Sequence, residues 1–189
     1  MFIKRPFNRN LIIDQIDGES QRGWKTTDLL GLTVFPCRAL DTPPLEIHDD
    51  SYPVSKCASF CFSRLKQMID FEEIGIDLDF IKKFKPSIIV SEVHNHRKPS
   101  SSGVYILCVD FLSGFVNEPK SMLMNKSDFV HQAEHFTSEA PKWVKVEQEF
   151  KDYSDDTRRI NFCSGGASTT TANATVIITF DINKGDHFS

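Results

Sequence analysis

The sequence has no CxxC pair, no basic arm and no apolar run long enough to span a bilayer. It also lacks a Gly-rich loop closed by Lys and Ser/Thr. Each absence excludes something. Five cysteines, at 37, 57, 61, 108 and 163, are odd in number and irregular in spacing. That argues against a disulfide framework and fits a reducing compartment, where free Cys serves as a small core hydrophobe. A net charge of −4 argues against a general nucleic-acid binder, which carries a basic domain or arm. The opening MFIKRPFNRN has basic residues with no apolar stretch behind them, so the expectation is a soluble chain without a signal peptide, made in the cytoplasm.

Tryptophan and tyrosine are scarce, at 2 and 3 residues, against 16 phenylalanines. Phe brings a large apolar surface with no polar tip to satisfy, which suits a core or a subunit interface. With 189 residues and 40% hydrophobic content, the chain is long enough for one sizeable core and shows no linker to a second. We expect an extended N-terminal segment over 1–23 and a single β-sandwich domain over 24–189. Phe2, Ile3 and Phe7 would pack on a neighbour, since solvent is the alternative.

The organising stretch is Phe84 to Leu112. It reads as two β-branched strands joined by a turn rich in Pro, Ser and Gly. Before it, 24–40 reads as a strand with Gly31 as a bulge, and 41–53 as a proline-rich loop. Residues 54–69 read as a strand running into a short helix. Alternating Ile74, Ile76, Leu78 and Phe80 predict a half-buried strand over 71–83, with a short helix open at its Lys82-Lys83 end. After the stretch, 125–136 has helix logic, with Ser127 as cap and Phe129, Val130, Ala133 and Phe136 as its apolar face. Over 142–153 strand and helix compete. Residues 154–175 are the most loop-like, and 175–182 form a terminal strand. Strands without regularly interleaved helices predict a mainly β fold, an antiparallel β-sandwich or jelly roll with one or two short helices.

Chemistry is thinly marked. Glu92, His94 and His96 form an ExHxH pattern on a strand, where residues two apart share a face and can grip one metal. Asp110 on the following strand completes a candidate set. The pattern is similar to the HxH of JAMM-type isopeptidases, but Asp110 stands too far along the chain for that motif. His131 and His135 are four apart on the predicted helix, yet HQAEH lacks the glutamate that zinc proteases use as base. Ser164 to Ser168 is Gly-rich but leads into a Thr-rich run and a strand, so a mobile or interface loop is the reading. Lys82, Lys83, Lys85, Arg97 and Lys98 form a modest basic cluster; such clusters are usually a solvated face, and this one is the sole candidate for contact with nucleic acid. No cofactor is implied.

FKPSIIVSEV, GVYILCVDFL, APKWVKVEQEF, the Gly/Ser/Thr stretch and TVIITFDI together resemble the single jelly-roll coat proteins of small viruses. The resemblance implies a non-enzymatic, self-assembling structural subunit, partnered by copies of itself and other virion proteins and located in the virion. The chain departs from that family in having no Arg/Lys-rich arm. A metal-dependent hydrolase on Glu92, His94, His96 and Asp110 is one alternative. An intracellular β-sandwich binding module, or a virus movement-type protein, is another.

Overall fold

Alternating apolar positions fill one face of an extended strand, and where both faces fill the strand is buried completely. The computed structural model describes residues 11, 16–17, 20–21, 24–26, 56–57, 63–96, 103–114, 127–135 and 142–179. Two short strands, β1 (Ile16–Asp17) and β2 (Ser20–Gln21), pair with each other. Five form an antiparallel sheet in the order β3 (Trp24–Thr26), β5 (Ser63–Asp70), β10 (Thr157–Ala167), β7 (Gly103–Ser113), β8 (Phe129–His135). Four form a second: β4 (Lys56–Cys57), β11 (Thr169–Thr179), β6 (Ser87–His96), β9 (Val144–Phe150).

The two larger sheets enclose one core, giving the antiparallel β-sandwich that the sequence predicts. Leu65, Ile69, Leu107, Val109, Ile160 and Phe162 meet Ile88, Val90, Val146, Val176 and Ile178 in it. Leu11, from the segment expected to be extended, also joins the core, and its N–H donates to the Val176 carbonyl at 2.8 Å. No helix among the described residues is long and apolar enough to cross a membrane.

One helix lies among the described residues, α1 (Leu78–Phe84). It occupies the second half of the 71–83 segment that alternation assigns to a strand. Asp77 caps it, accepting from the Asp79 N–H at 2.8 Å, and Gly75 turns the chain beforehand at φ 81°. Only the threefold spacing of Leu78, Ile81 and Phe84 then matters, and Ile81 is the buried residue. Lys85 ends the helix in the left-handed conformation, its N–H donating to the Ile81 carbonyl.

The predicted helix over 125–136 is instead the strand β8. Phe129, His131 and Ala133 face inward opposite Val109, Leu107 and Tyr105, while Val130, Gln132 and Glu134 face out. Ladder bonds to β7 outweigh helix propensity here. The predicted short helix near Leu65 and Met68 is likewise strand, in β5. The loop-like 154–175 holds all of β10 and the larger part of β11, which are interior strands of their sheets. Small Gly, Ser and Thr side chains fit there because backbones and hydroxyls approach closely. A Cβ on Gly166, at φ 153°, would stand 1.8 Å from the Val104 carbonyl oxygen. Finally, β6 and β7 do not pair with each other. They belong to opposite sheets and face across the core.

Candidate functional site

Strand alternation puts Val90, Glu92 and His94 on the inward face of β6. Glu92 and His94 are each 1% exposed. The Glu92 carboxylate accepts from the Tyr105 hydroxyl at 2.8 Å and from Ser164 Oγ at 3.0 Å. One carboxylate on the four-stranded sheet is therefore bonded to two strands of the five-stranded sheet. The His94 ring stacks on Tyr105 with centroids 3.9 Å apart and planes 8° from parallel. His131 lies at 6.2 Å from His94 and 6.1 Å from Tyr105, centroid to centroid. Burial, then the charge of Glu92 and the bond to it, push the Tyr105 hydroxyl well above its ordinary pKa. Glu92 is thus buried and held by two hydroxyls, an arrangement that ties the sheets together.

The fourth member of the ExHxH set is not brought to this place. Asp110 sits on the opposite, outer face of β7 and accepts from Asn161 Nδ2 at 2.9 Å. The odd number of residues from Tyr105 to Asp110 puts the two on opposite faces, so the sheet itself separates Asp110 from Glu92. The side chains of His96 and His135 lie outside the described residues. Among the described residues, no group of three or more His, Cys, Asp or Glu is placed to hold a metal. What the strand β8 does bring to His94 is His131, through pairing with Leu107.

The basic cluster is only partly described. Lys82 and Lys83 occupy the last turn of α1. Lys85 is engaged with Asp155 at 2.6 Å and with the Tyr153 carbonyl at 2.5 Å, so it is not available to phosphate in the way expected. Arg97, Lys98, Phe2, Ile3 and Phe7 lie outside the described residues. The Gly-rich 164–168 stretch is strand where a mobile or interface loop was expected: Ser164 to Ala167 end β10, and Ser168 turns the chain into β11.

One open feature among the described residues is a cleft of about 440 Å³ where β7, β8 and β9 come to one end of the sandwich. Phe111, Phe150 and Tyr153 form its aromatic side. The Phe111 ring meets Phe150 edge-on at 4.9 Å and stacks on Tyr153 at 5.5 Å. Asp128, Glu149, Lys151 and Asp152 supply its charges. Tyr153 is anchored by its hydroxyl, which donates to the Pro86 carbonyl at 2.8 Å. Asp128 accepts the Phe111 N–H at 2.8 Å, which fixes the start of β8 against the end of β7. Sequence reasoning missed this site. Its signal was the alternation VKVEQEF, which sends Phe150 inward and Glu149 outward at the same strand end.

Comparison with solved structures finds similarity at low identity. The enzymatically active domain of bacteriophage CBA120 tailspike protein 4 is 9% identical, with a TM-score of 0.50 over 89% of this chain; the chain spans 21% of that one. The CBM22-1 xylan-binding domain of Paenibacillus barcinonensis Xyn10C is 8% identical, with a TM-score of 0.47 over 86% of this chain and 89% of that one. The C-terminal family 22 carbohydrate-binding module of Clostridium thermocellum Xyn10B is 9% identical, with a TM-score of 0.44 over 86% and 90%. No curated protein matches the sequence. The family model of the F-box associated region matches residues 2–179, a span that takes in every described residue. The chain belongs to the F-box associated region family.

Proposed function

We propose that this chain is a non-catalytic substrate-binding domain, a β-sandwich that recognises a target and holds it without changing it. One observation carries the reading. Two members of the sequence's enzyme-like constellation, Glu92 and His94, are built into the core at 1% exposure, with Glu92 bonded to Tyr105 and Ser164. Catalytic carboxylates need access to a reacting group. Membership of the F-box associated region family supports the same role, as does the presence of a cleft at a strand end, where β-sandwiches commonly place binding groups on a rigid scaffold.

The test is to capture targets on the intact protein, purify one, and measure its direct binding and its mass after release. The expected result is saturable binding with the target recovered unaltered. A target recovered cleaved or chemically modified by the pure protein would overturn the reading. Light scattering on the same preparation addresses the coat-subunit expectation. Discrete particles much larger than a small oligomer would favour self-assembly over recognition.

A further inference from the structure

We infer that β8 is a pairing edge for a second copy of this chain, joined antiparallel about a twofold axis through Gln132. The inference goes beyond the recognition reading and stands without it. Edge chemistry, exposure and the charge pattern of the strand carry it together.

A strand at the margin of a sheet turns every second backbone N–H and C=O away from its neighbour, and another extended backbone answers that row. Among the described residues the two large sheets end in four such strands, β3, β8, β4 and β9. With three and two residues, β3 and β4 are too short to template a pairing. The strand β9 sends Lys145, Glu147 and Glu149 outward, all exposed, which is the charged blocking that natural edges use. Neither device protects β8. It runs for seven residues, FVHQAEH, without Lys, Arg or Pro, and among the described residues it pairs with β7 alone. Its outer face of Val130, Gln132 and Glu134 is exposed. Val130, at 39%, is one of two exposed large hydrophobics among the described residues.

The strand's own sequence selects a copy of itself. Antiparallel pairing about Gln132 sets position 129 opposite 135, Val130 opposite Glu134 and His131 opposite Ala133, so all seven positions find a partner. Outward residues then lie beside outward residues, because the register preserves the alternation of faces. The strand's single acid, Glu134, meets Val130 instead of another acid, and its methylene stem lies over the exposed valine. On the axis the two Gln132 amides face each other, each able to donate and to accept. Moving the axis to His131 brings Asp128 opposite Glu134, a like-charge pair, and moving it to Ala133 leaves only five strand positions paired. Charge and length therefore pick one register, which joins two five-stranded sheets into one of ten. One strand on one strand is a small contact beside the roughly 1,200–2,000 Å² of a lasting interface, so the dimer exchanges with monomer.

Sedimentation velocity of the full chain, over about a hundredfold range of concentration, reads that equilibrium. A reversible dimer that grows with concentration is expected. Gln132→Lys sets two ammoniums on the axis and should weaken dimerisation about tenfold, through a lost amide pair and a like-charge contact. Gln132→Glu should do the same, and an equimolar mixture of the two variants should recover the dimer. Val130→Lys meets Glu134 across the pair and should leave dimerisation intact or stronger, which separates this register from general blocking of an edge by lysine. Both positions are exposed, so melting temperatures should match the parent. A chain monomeric throughout, a dimer indifferent to Gln132→Lys or lost in Val130→Lys, or a mixture no better than its components would overturn the inference. So would hydrogen exchange in which the β8 amides gain protection only when a different protein is added, since the edge then serves a foreign strand.

Discussion

Cys108 on β7 and Cys163 on β10 are direct partners across adjacent antiparallel strands, both free and both buried on the outer face of the five-stranded sheet. Directly opposed residues in such a ladder have Cα atoms about 4.5 to 5.5 Å apart, inside the range a disulfide spans. Burial slows oxidation, because the thiolate is the reacting species. We predict that prolonged treatment with diamide, which takes up the two thiol hydrogens, links residue 108 to residue 163 within one chain and raises the melting temperature. A non-reduced peptide map reads this directly. Oxidation confined to cysteines 37, 57 and 61 would show that the pair cannot close.

Glu92 is predicted to be a stability residue. Glu92→Ala leaves the buried Tyr105 and Ser164 hydroxyls without this acceptor, at about 1–3 kcal/mol for each group stranded. Glu92→Gln keeps one oxygen acceptor and should cost less. Urea unfolding of the two variants measures the difference. An alanine variant as stable as the parent would mean that Glu92 is not tying the sheets together.

Gly166 answers a backbone demand. With the Val104 carbonyl oxygen 1.8 Å from any added Cβ and φ at 153°, Gly166→Ala must displace β7 from β10. The expected loss is at least about 2 kcal/mol, combining backbone strain with overpacking. Thermal melting beside Gly75→Ala supplies the comparison, since a Cβ at Gly75 meets nothing within 4 Å and only its φ of 81° opposes the change.

Stability should fall on the alkaline side. Burial pushes the Cys163 thiol up to about 12 from 9.0, and Cys108 and the Tyr105 and Tyr153 hydroxyls are raised by burial as well. A raised folded-state value means that the stabilisation is complete below the unfolded value and is lost as pH climbs toward the folded one. For Cys163 that window runs from about 9 to about 12, and the loss amounts to a few kcal/mol. Melting temperatures across that range should decline, and the decline should flatten in Cys163→Val. An unchanged slope in that variant would assign the alkaline loss to other groups.

The sandwich was legible where β-branched and other apolar residues run together between turn residues, as in Ile88 to Val93 and Val104 to Val109, because short runs of that kind suit strands buried between two layers. It was illegible where a local cap or a distant ladder decided. Asp77 with Gly75 makes a helix from a segment whose apolar residues alternate, and β8 is a strand only because β7 lies beside it. The Gly/Ser/Thr stretch misled for a related reason: its residues look like a loop until the close approach of Val104 to Gly166 explains their size. Glu92 and His94 were correctly placed on one face. Which way that face pointed depended on the second sheet, and inward placement turned a candidate metal grip into a core tie.

The positions of β10 and β11 bear on how the chain can be assembled in time. Each sheet is interrupted until one of them inserts, because β10 separates β5 from β7 and β11 separates β4 from β6. Both lie within the final third of the sequence. During synthesis the earlier strands must therefore wait with unpaired edges: the five-stranded sheet cannot close before residue 167 has left the ribosome, nor the four-stranded sheet before residue 179. Such late, long-range pairing is slow and leaves strand edges open to other chains. A chain truncated after β9 would keep most of its apolar residues and have no complete sheet in which to bury them.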